Sequence, residues 1–140
     1  MAANTEIVRG LYEAFGRGDV PAALGLLDPG IVWNEAENFI YADRNPYIGP
    51  QAVLDGVFAR IGTDWEGFTA IPEELISEGD TVVALGRYRG VYRATGIRLD
   101  AQFVHVFKLR SGKVARFQQY TDTAQARDAA TGRAAGSSAR

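Results

Sequence analysis

Cysteine is absent from the 140 residues of this chain, which also contains a single histidine. The missing thiols exclude disulfides, thiolate catalysis and cysteine-built zinc sites, and they fit a reducing compartment. One histidine leaves little basis for a metal site built from imidazoles. The sequence therefore predicts no metal centre.

Charge of one sign and long apolar runs are also scarce. The formal net charge is -2, so nothing favours binding to nucleic acid or to an anionic membrane. No apolar run approaches the roughly 20 residues that cross a bilayer. The N-terminal "MAANTEIVRG" lacks the basic flank and apolar segment of a signal peptide. We therefore expect a cytoplasmic protein without nucleic-acid or membrane partners.

The sequence does have the size and composition of one globular domain, with 46% hydrophobic and 23% charged residues. Apolar spacing and turn residues predict its elements in chain order. Helices are predicted over 5–16, after the N-cap Asp19, and over 49–61. A strand at 31–35 and a loop at 36–48 lie between the second and third helices. Four strands follow at about 66–78, 81–93, 98–109 and 113–122, and the strand at 66–78 can break at Pro72. Helices that precede a run of strands predict an α+β fold with the helices on one face of a curved antiparallel sheet.

The last part of the chain changes in composition. From about residue 124 it reads "AQARDAATGRAAGSSAR", rich in Ala, Gly, Ser and Arg and poor in large apolar residues. Such a composition favours a frayed helix or disorder. We therefore place the single domain at 1–125 and expect a frayed or disordered tail at 126–140.

Alternation of side chains assigns a face to each predicted strand. Strand 98–109 carries Phe103 and His105 on its aromatic face, which we take as inward. Strand 81–93 carries Tyr88 on the face opposite its arginines. Strand 113–122 gathers three polar side chains on one face, which meets either water or a cavity: Gln118, Tyr120 and Asp122.

The opposite faces of the last two strands expose apolar side chains at Val104, Val106 and Phe117. Exposed apolar surface on a sheet is typical of an interface. We therefore expect a homodimer packed through the outer face of the sheet.

Five segments, spread over about residues 4–125, together form a familiar pattern. They are "VRGLYEAFGRGDVPAALGLL" for the first two helices, "IVWNEAEN" for the first strand, "RNPYIGPQAVLDGVF" for the third helix and its lead-in, "EGDTVVALGRYRG" for a hairpin, and "FVHVFKLRSGKVARFQQYTDTAQ" for the last two strands. In this order and spacing they resemble the nuclear-transport-factor-2-like superfamily, in particular its SnoaL-like, ketosteroid-isomerase-like branch. The resemblance implies a cone-shaped, cystatin-like α+β barrel with a deep apolar pocket, usually in a homodimer, and it implies no specific reaction.

The resemblance also implies which side chains point into the pocket. They correspond here to Tyr12, Trp33, Glu35, His105 and, at the end of the last strand, Asp122. A carboxylate in an apolar pocket can acquire a pKa suited to proton transfer, so we predict Asp122 as the main acid/base residue and Glu35 as the other candidate. If His105 and Asp122 face inward on adjacent strands, the carboxylate fixes the imidazole tautomer. We therefore predict His105 as a second catalytic residue, which assists Asp122 in moving the proton.

A tyrosine would then stabilise a developing oxyanion, and we predict Tyr12 in this catalytic role. The remaining candidates would bind substrate along the wall and mouth of the pocket: Trp33, Glu35, Tyr47, Tyr88, Phe103, Gln118 and Tyr120. The sequence thus favours a cofactor-independent enzyme that isomerises, cyclises, dehydrates or hydrolyses a small hydrophobic carbonyl or epoxide compound. Two alternatives stay open, a small-molecule-binding protein without turnover and a dimeric protein-interaction domain.

Overall fold

The computed structural model of the chain describes residues 2–133, without the side chain of residue 2. The helical segments are α1 (Ala2–Gly16), α2 (Val20–Gly25), a 3-10 turn (Ala42–Arg44), α3 (Pro50–Val53), a π-helical turn (Leu54–Phe58), α4 (Ala59–Asp64) and α5 (Thr123–Thr131). The strands are β1 (Leu27–Asn34), β2 (Tyr47–Ile48), β3 (Trp65–Glu78), β4 (Thr81–Tyr92), β5 (Arg98–Arg110) and β6 (Lys113–Thr121). Over residues 2–133, no helix is both long and apolar enough to cross a membrane.

The strands form one curved sheet in the order β2-β1-β6-β5-β4-β3. Strands β1 and β6 run parallel, and the other neighbouring pairs are antiparallel. Helix α1 packs on β3 and β4, while α3 packs on β1 and α4 on β3. The α+β prediction is confirmed, with the parallel β1–β6 pair as an addition that makes the sheet mixed.

The first helices form where apolar spacing predicts them. Helix α1 buries Val8, Leu11 and Ala14 on one face. The Asp19 side chain accepts a hydrogen bond from the backbone N–H of Ala22 at 3.2 Å and so caps α2, as predicted.

The third helical region differs from the prediction in its extent and its geometry. It runs from Pro50 to Asp64 and includes the π-helical turn. Gly56 lies in this turn against the ring of Tyr47, and a Cβ atom added at Gly56 would lie 2.1 Å from Tyr47 Cε1. The predicted loop at 36–48 also contains local structure, because the 3-10 turn and β2 fall within it.

Strands β4 and β5 confirm the predicted faces. Leu99, Phe103 and His105 are buried on the inner side of β5, while Asp100 and Gln102 between them are exposed. Strand β3 changes register next to Pro72, where the sequence predicts a break.

Strand β6 corrects the predicted assignment of its faces. Leu109 lies opposite Val114 whereas Lys108 lies opposite Arg116, so Ala115 is an extra residue in β6. Such a bulge reverses the faces of the residues that follow it. Phe117 therefore lies inside rather than outside, together with Gln119.

The C-terminal segment is helical, which is one of the two forms expected from its composition. Residues 123–131 form helix α5, which buries Ala126 and Ala129 and so packs on the domain beyond the expected boundary at residue 125. Arg127 Nη2 donates a hydrogen bond to the carbonyl oxygen of Asn38 at 2.8 Å and so joins α5 to the segment after β1. Residues 134–140 of the expected tail lie outside the described residues.

Candidate active site

The inner face of the sheet and the helices packed on it enclose a narrow cavity of about 60 Å³. Its wall is mostly apolar and aromatic: Leu11, Phe15, Trp33, Phe39, Val57, Phe58, Ile61, Phe68, Ala70, Phe107 and Phe117. Five side chains with polar atoms interrupt this wall: Tyr12, Glu35, Tyr88, His105 and Gln119. An apolar pocket with a few convergent polar groups is the usual form of a small-molecule site.

His105 lies between two tyrosine hydroxyl groups. The hydroxyl oxygen of Tyr12 is 2.6 Å from His105 Nδ1, and that of Tyr88 is 2.5 Å from His105 Nε2. The imidazole also stacks on Phe103, with ring centroids 4.0 Å apart. Burial lowers the pKa of His105 to about 3, because the imidazolium ion would be desolvated. The ring is therefore neutral near pH 7, with one N–H group and one bare nitrogen.

Gln119 extends this arrangement from the neighbouring strand. It lies directly opposite His105 in the β5–β6 pairing and is buried. Its Nε2 atom donates a hydrogen bond to the Tyr88 hydroxyl at 2.9 Å. Its Oε1 atom accepts one from the backbone N–H of Ala36 at 3.0 Å. Tyr12, His105, Tyr88 and Gln119 thus form one continuous hydrogen-bond chain.

Glu35 supplies the buried carboxyl group of the cavity and is 3% exposed. Trp33 Nε1 donates to Glu35 Oε2 at 2.8 Å. The Asn45 side chain fixes the backbone of Glu35, because Nδ2 donates to its carbonyl oxygen at 2.8 Å and Oδ1 accepts from its N–H at 3.0 Å. Burial raises the pKa of Glu35 to about 7, although the Trp33 hydrogen bond and the charge of Arg60 act in the opposite direction.

The arrangement brings together two chemical capacities. A carboxyl group with a pKa near 7 can accept or donate a proton at neutral pH. A neutral phenol–imidazole chain in an apolar wall can donate a hydrogen bond to an oxygen atom that gains negative charge. The cavity can therefore support proton transfer next to a polarised oxygen.

Five of the candidates predicted from the sequence meet in this cavity. Tyr12, Trp33, Glu35, Tyr88 and His105 all line it. Phe103 lies behind the lining, stacked on the imidazole ring. Tyr47 is buried away from the cavity lining, with its hydroxyl donating to the carbonyl oxygen of Tyr41 at 2.5 Å.

The predictions on the last strand are wrong in their geometry. Asp122 is exposed and caps α5, accepting a hydrogen bond from the backbone N–H of Gln125 at 3.1 Å. It therefore makes no pair with His105, whose neighbour on β6 is Gln119. Tyr120 is 55% exposed on the outer face, and Gln118 lies on that face as well. The three side chains alternate with Phe117 and Gln119 as predicted, but their shared face is the outer one.

Gln119 is the functional candidate that the sequence analysis missed. A signal was present two residues earlier, because Phe117 is a large aromatic side chain that gains more from burial than from exposure. Placing Phe117 inside would have placed Gln119 inside as well.

Over residues 2–133, no three His, Asp or Glu side chains gather in a way that could hold a metal ion.

Comparison with known families places the chain among proteins with this fold. The family described as the SnoaL-like domain matches residues 8–117. Among curated proteins, none matches the chain.

Solved structures are similar over nearly the whole chain. An NTF2-like protein from Burkholderia thailandensis E264 is 36% identical, with a TM-score of 0.83, covering 89% of this chain and 96% of that one. An NTF2-like protein of unknown function from Burkholderia pseudomallei K96243 is 29% identical, with a TM-score of 0.85, and the similarity covers 94% of this chain and 99% of that one. TerC, co-crystallised with polyporic acid, is 25% identical, with a TM-score of 0.82, and the similarity covers 92% of this chain and 98% of that one.

Proposed function

The chain belongs to the SnoaL-like domain family of the NTF2-like superfamily, and from the geometry of its cavity we propose that it is a cofactor-independent acid/base enzyme. Its substrate would be a small, mostly apolar molecule with a carbonyl group or a similar acceptor oxygen. Glu35 would move a proton on a carbon next to that oxygen. The Tyr12–His105–Tyr88 chain would stabilise the negative charge that develops on the oxygen.

The buried carboxyl group of Glu35 is the observation that carries this proposal. It faces the same cavity as three aromatic side chains with polar atoms, and its pKa of about 7 is suited to proton transfer near neutral pH. A carboxyl group that served only to stabilise the fold would gain more from an exposed or ion-paired position. Within residues 2–133, its side chain has one hydrogen bond, from Trp33, which leaves the second carboxyl oxygen available for a ligand.

The similarity to TerC supports the idea of a ligand in this fold. TerC was crystallised with polyporic acid, so a protein that is 25% identical has been obtained with a small organic molecule. For the present chain, the apolar cavity wall and its few polar groups also support binding of a small organic molecule.

Exchange of α-protons in 2-indanone provides a direct test. This compact apolar ketone has acidic C–H groups, and their replacement by deuterium in D2O is followed by proton NMR. We expect the protein to accelerate exchange, with a rate that rises with pH around a midpoint near 7 as Glu35 ionises. Glu35→Gln should lower the rate by about 100-fold or more, whereas Glu37→Gln, at an exposed neighbouring position, should retain it.

Two results would contradict the enzyme proposal. An unchanged rate in Glu35→Gln would exclude Glu35 as the base. Binding of 2-indanone without exchange, together with no turnover of a panel of enones and epoxides, would favour the alternative of a binding protein.

A homodimer is a further part of the proposal. Val104, Val106 and Tyr120 lie side by side on the outer face of the sheet, where Val104 pairs with Tyr120. Ile76 adds an apolar side chain that is 48% exposed on the same face. Contiguous apolar surface of this kind supports an interface with a second copy of the chain.

A further inference from the structure

The amide group of Gln119 has only one orientation that satisfies its neighbours. The backbone N–H of Ala36 can only donate, so the atom of Gln119 that faces it must be the oxygen. The NH2 group is then directed at the Tyr88 hydroxyl, 2.9 Å away, and donates to its oxygen. The direction of this hydrogen bond is therefore set by a backbone group outside the chain of side chains.

Tyr12, His105 and Tyr88 together have one more donor hydrogen than the two hydrogen bonds between them can use. Neutral His105 contributes one N–H hydrogen, and Tyr12 and Tyr88 contribute one O–H hydrogen each. The two contacts, at 2.6 and 2.5 Å, use two of these three hydrogens. One tyrosine O–H is thus left over, and which tyrosine carries it depends on which imidazole nitrogen is protonated.

The surroundings of the two hydroxyl groups differ. The Tyr88 oxygen already has two neighbours, Gln119 Nε2 and His105 Nε2. If His105 Nε2 carried the proton, this oxygen would accept twice and its own hydrogen would be buried without an acceptor. In the part of the chain that the structure describes, the Tyr12 hydroxyl has His105 Nδ1 as its hydrogen-bond partner and no other. An unshared hydrogen is therefore accommodated better at Tyr12, which also lines the cavity.

We propose that Gln119 is a positioning residue that sets the direction of the whole chain. Gln119 donates to Tyr88, Tyr88 donates to His105 Nε2, and His105 Nδ1–H donates to Tyr12. The O–H of Tyr12 is then the hydrogen-bond donor that the cavity presents to a ligand. This inference deepens the proposed function, and it rests on that function only in stating that the Tyr12 hydroxyl meets the reacting oxygen.

The direction of the chain also restricts the class of ligand. An O–H group without an acceptor on a mostly apolar wall fits a ligand oxygen that accepts, such as that of a ketone or an enolate. In the reverse direction, the Tyr12 O–H would donate to His105 Nδ1. The cavity would then lose this donor.

The single histidine of the chain makes the test direct. Protein labelled with 15N-histidine gives one pair of imidazole nitrogen signals, and couplings to the ring protons identify the protonated nitrogen. We expect a proton on Nδ1 in the wild-type protein at pH 7. A proton on Nε2 would overturn the inference without any use of a variant.

Gln119→Glu tests whether residue 119 sets the tautomer. An ionised carboxylate still accepts from the Ala36 N–H but accepts from Tyr88 instead of donating to it. We therefore expect the Nδ1–H to Nε2–H ratio to fall by at least about tenfold at a pH where the new carboxyl group is ionised, which its 13C signal reports. Gln118→Glu adds the same charge on the outer face and should leave the tautomer unchanged. An unchanged tautomer in an ionised, folded Gln119→Glu protein would refute the role of Gln119.

The ligand readout separates this inference from the proposed function. Tyr12→Phe removes the presented hydrogen and should weaken binding of 2-indanone by about fivefold or more. Equal affinity of Tyr12→Phe and wild-type protein would refute the statement about Tyr12. The protein could show the Nδ1–H tautomer and the expected loss of affinity in Tyr12→Phe, yet no α-proton exchange. That result would support this inference and contradict the proposed enzyme activity.

Discussion

Glu35 should make the stability of the protein depend on pH in a way that one substitution removes. Burial raises the pKa of this carboxyl group from its ordinary value of 4.5 to about 7 in the folded protein. Between these values the folded chain holds a proton that the unfolded chain has released. The free energy of unfolding therefore decreases as the pH rises from about 4.5 to about 7, and this contribution is constant outside the interval.

The magnitude follows from the width of the interval. At about 1.4 kcal/mol for each pKa unit, the carboxyl group destabilises the folded protein by about 3 kcal/mol above pH 7 relative to acidic pH. Solvent screening is weak here, because the side chain is 3% exposed. Glu35→Gln keeps an oxygen for the Trp33 N–H and has no proton to lose, so it should be more stable than wild type at pH 8.

Urea unfolding of both proteins at a series of pH values from 4 to 9 measures the effect. The difference in unfolding free energy, variant minus wild type, should rise by about 3 kcal/mol across the interval, which corresponds to about 10 °C in melting temperature for a chain of this size. Taking the difference cancels the other titrating groups. Glu37→Gln, at an exposed position, should show no such rise. A difference that is flat or falls with pH would refute the reasoning, because Glu35 would then be solvated in the folded protein.

Three further predictions follow from packing, capping and the outer face. Gly56→Ala should destabilise the protein by about 1–3 kcal/mol in urea unfolding, because a Cβ atom there overlaps Tyr47, whereas Gly62→Ala, with open space around it, should be neutral or stabilising. Asp122→Ala should lower stability by about 1 kcal/mol through loss of the α5 cap and leave 2-indanone binding unchanged; a large loss of binding would return Asp122 to the site. We expect the wild type to sediment as a dimer and Val104→Glu as a monomer in analytical ultracentrifugation, and equal assembly of the two proteins would place the interface elsewhere.

The sequence was sufficient for the parts of the fold in which a regular period continues without interruption. Strand β5 alternates apolar and polar residues at both of its ends, and the same count continued through its middle places Phe103 and His105 inside. Helix α2 carries its own boundary signals, because Asp19 is an N-cap and proline follows it in the first turn.

The rest depended on one local irregularity and on contacts distant in sequence. The bulge at Ala115 reverses the faces of β6, so the start of this strand does not show which face of its later residues lies inside, and the face with Asp122 was taken as inward in place of the face with Phe117 and Gln119. Helix α5 contains mostly small and polar residues, and its order comes from burial of Ala126 and Ala129 against the sheet rather than from its own amphipathic pattern.

Helix α5 has a consequence for how this pocket can diversify. It lies beyond residues 8–117, the stretch that matches the family, yet Arg127 anchors the carbonyl of Asn38, next to Phe39 in the cavity wall. A substitution or a change of length in this terminal helix would shift that wall while every residue of the matched stretch stayed the same. If the cavity binds a ligand as we propose, its preference would depend on α5 as well, and a comparison confined to residues 8–117 would overlook that contribution.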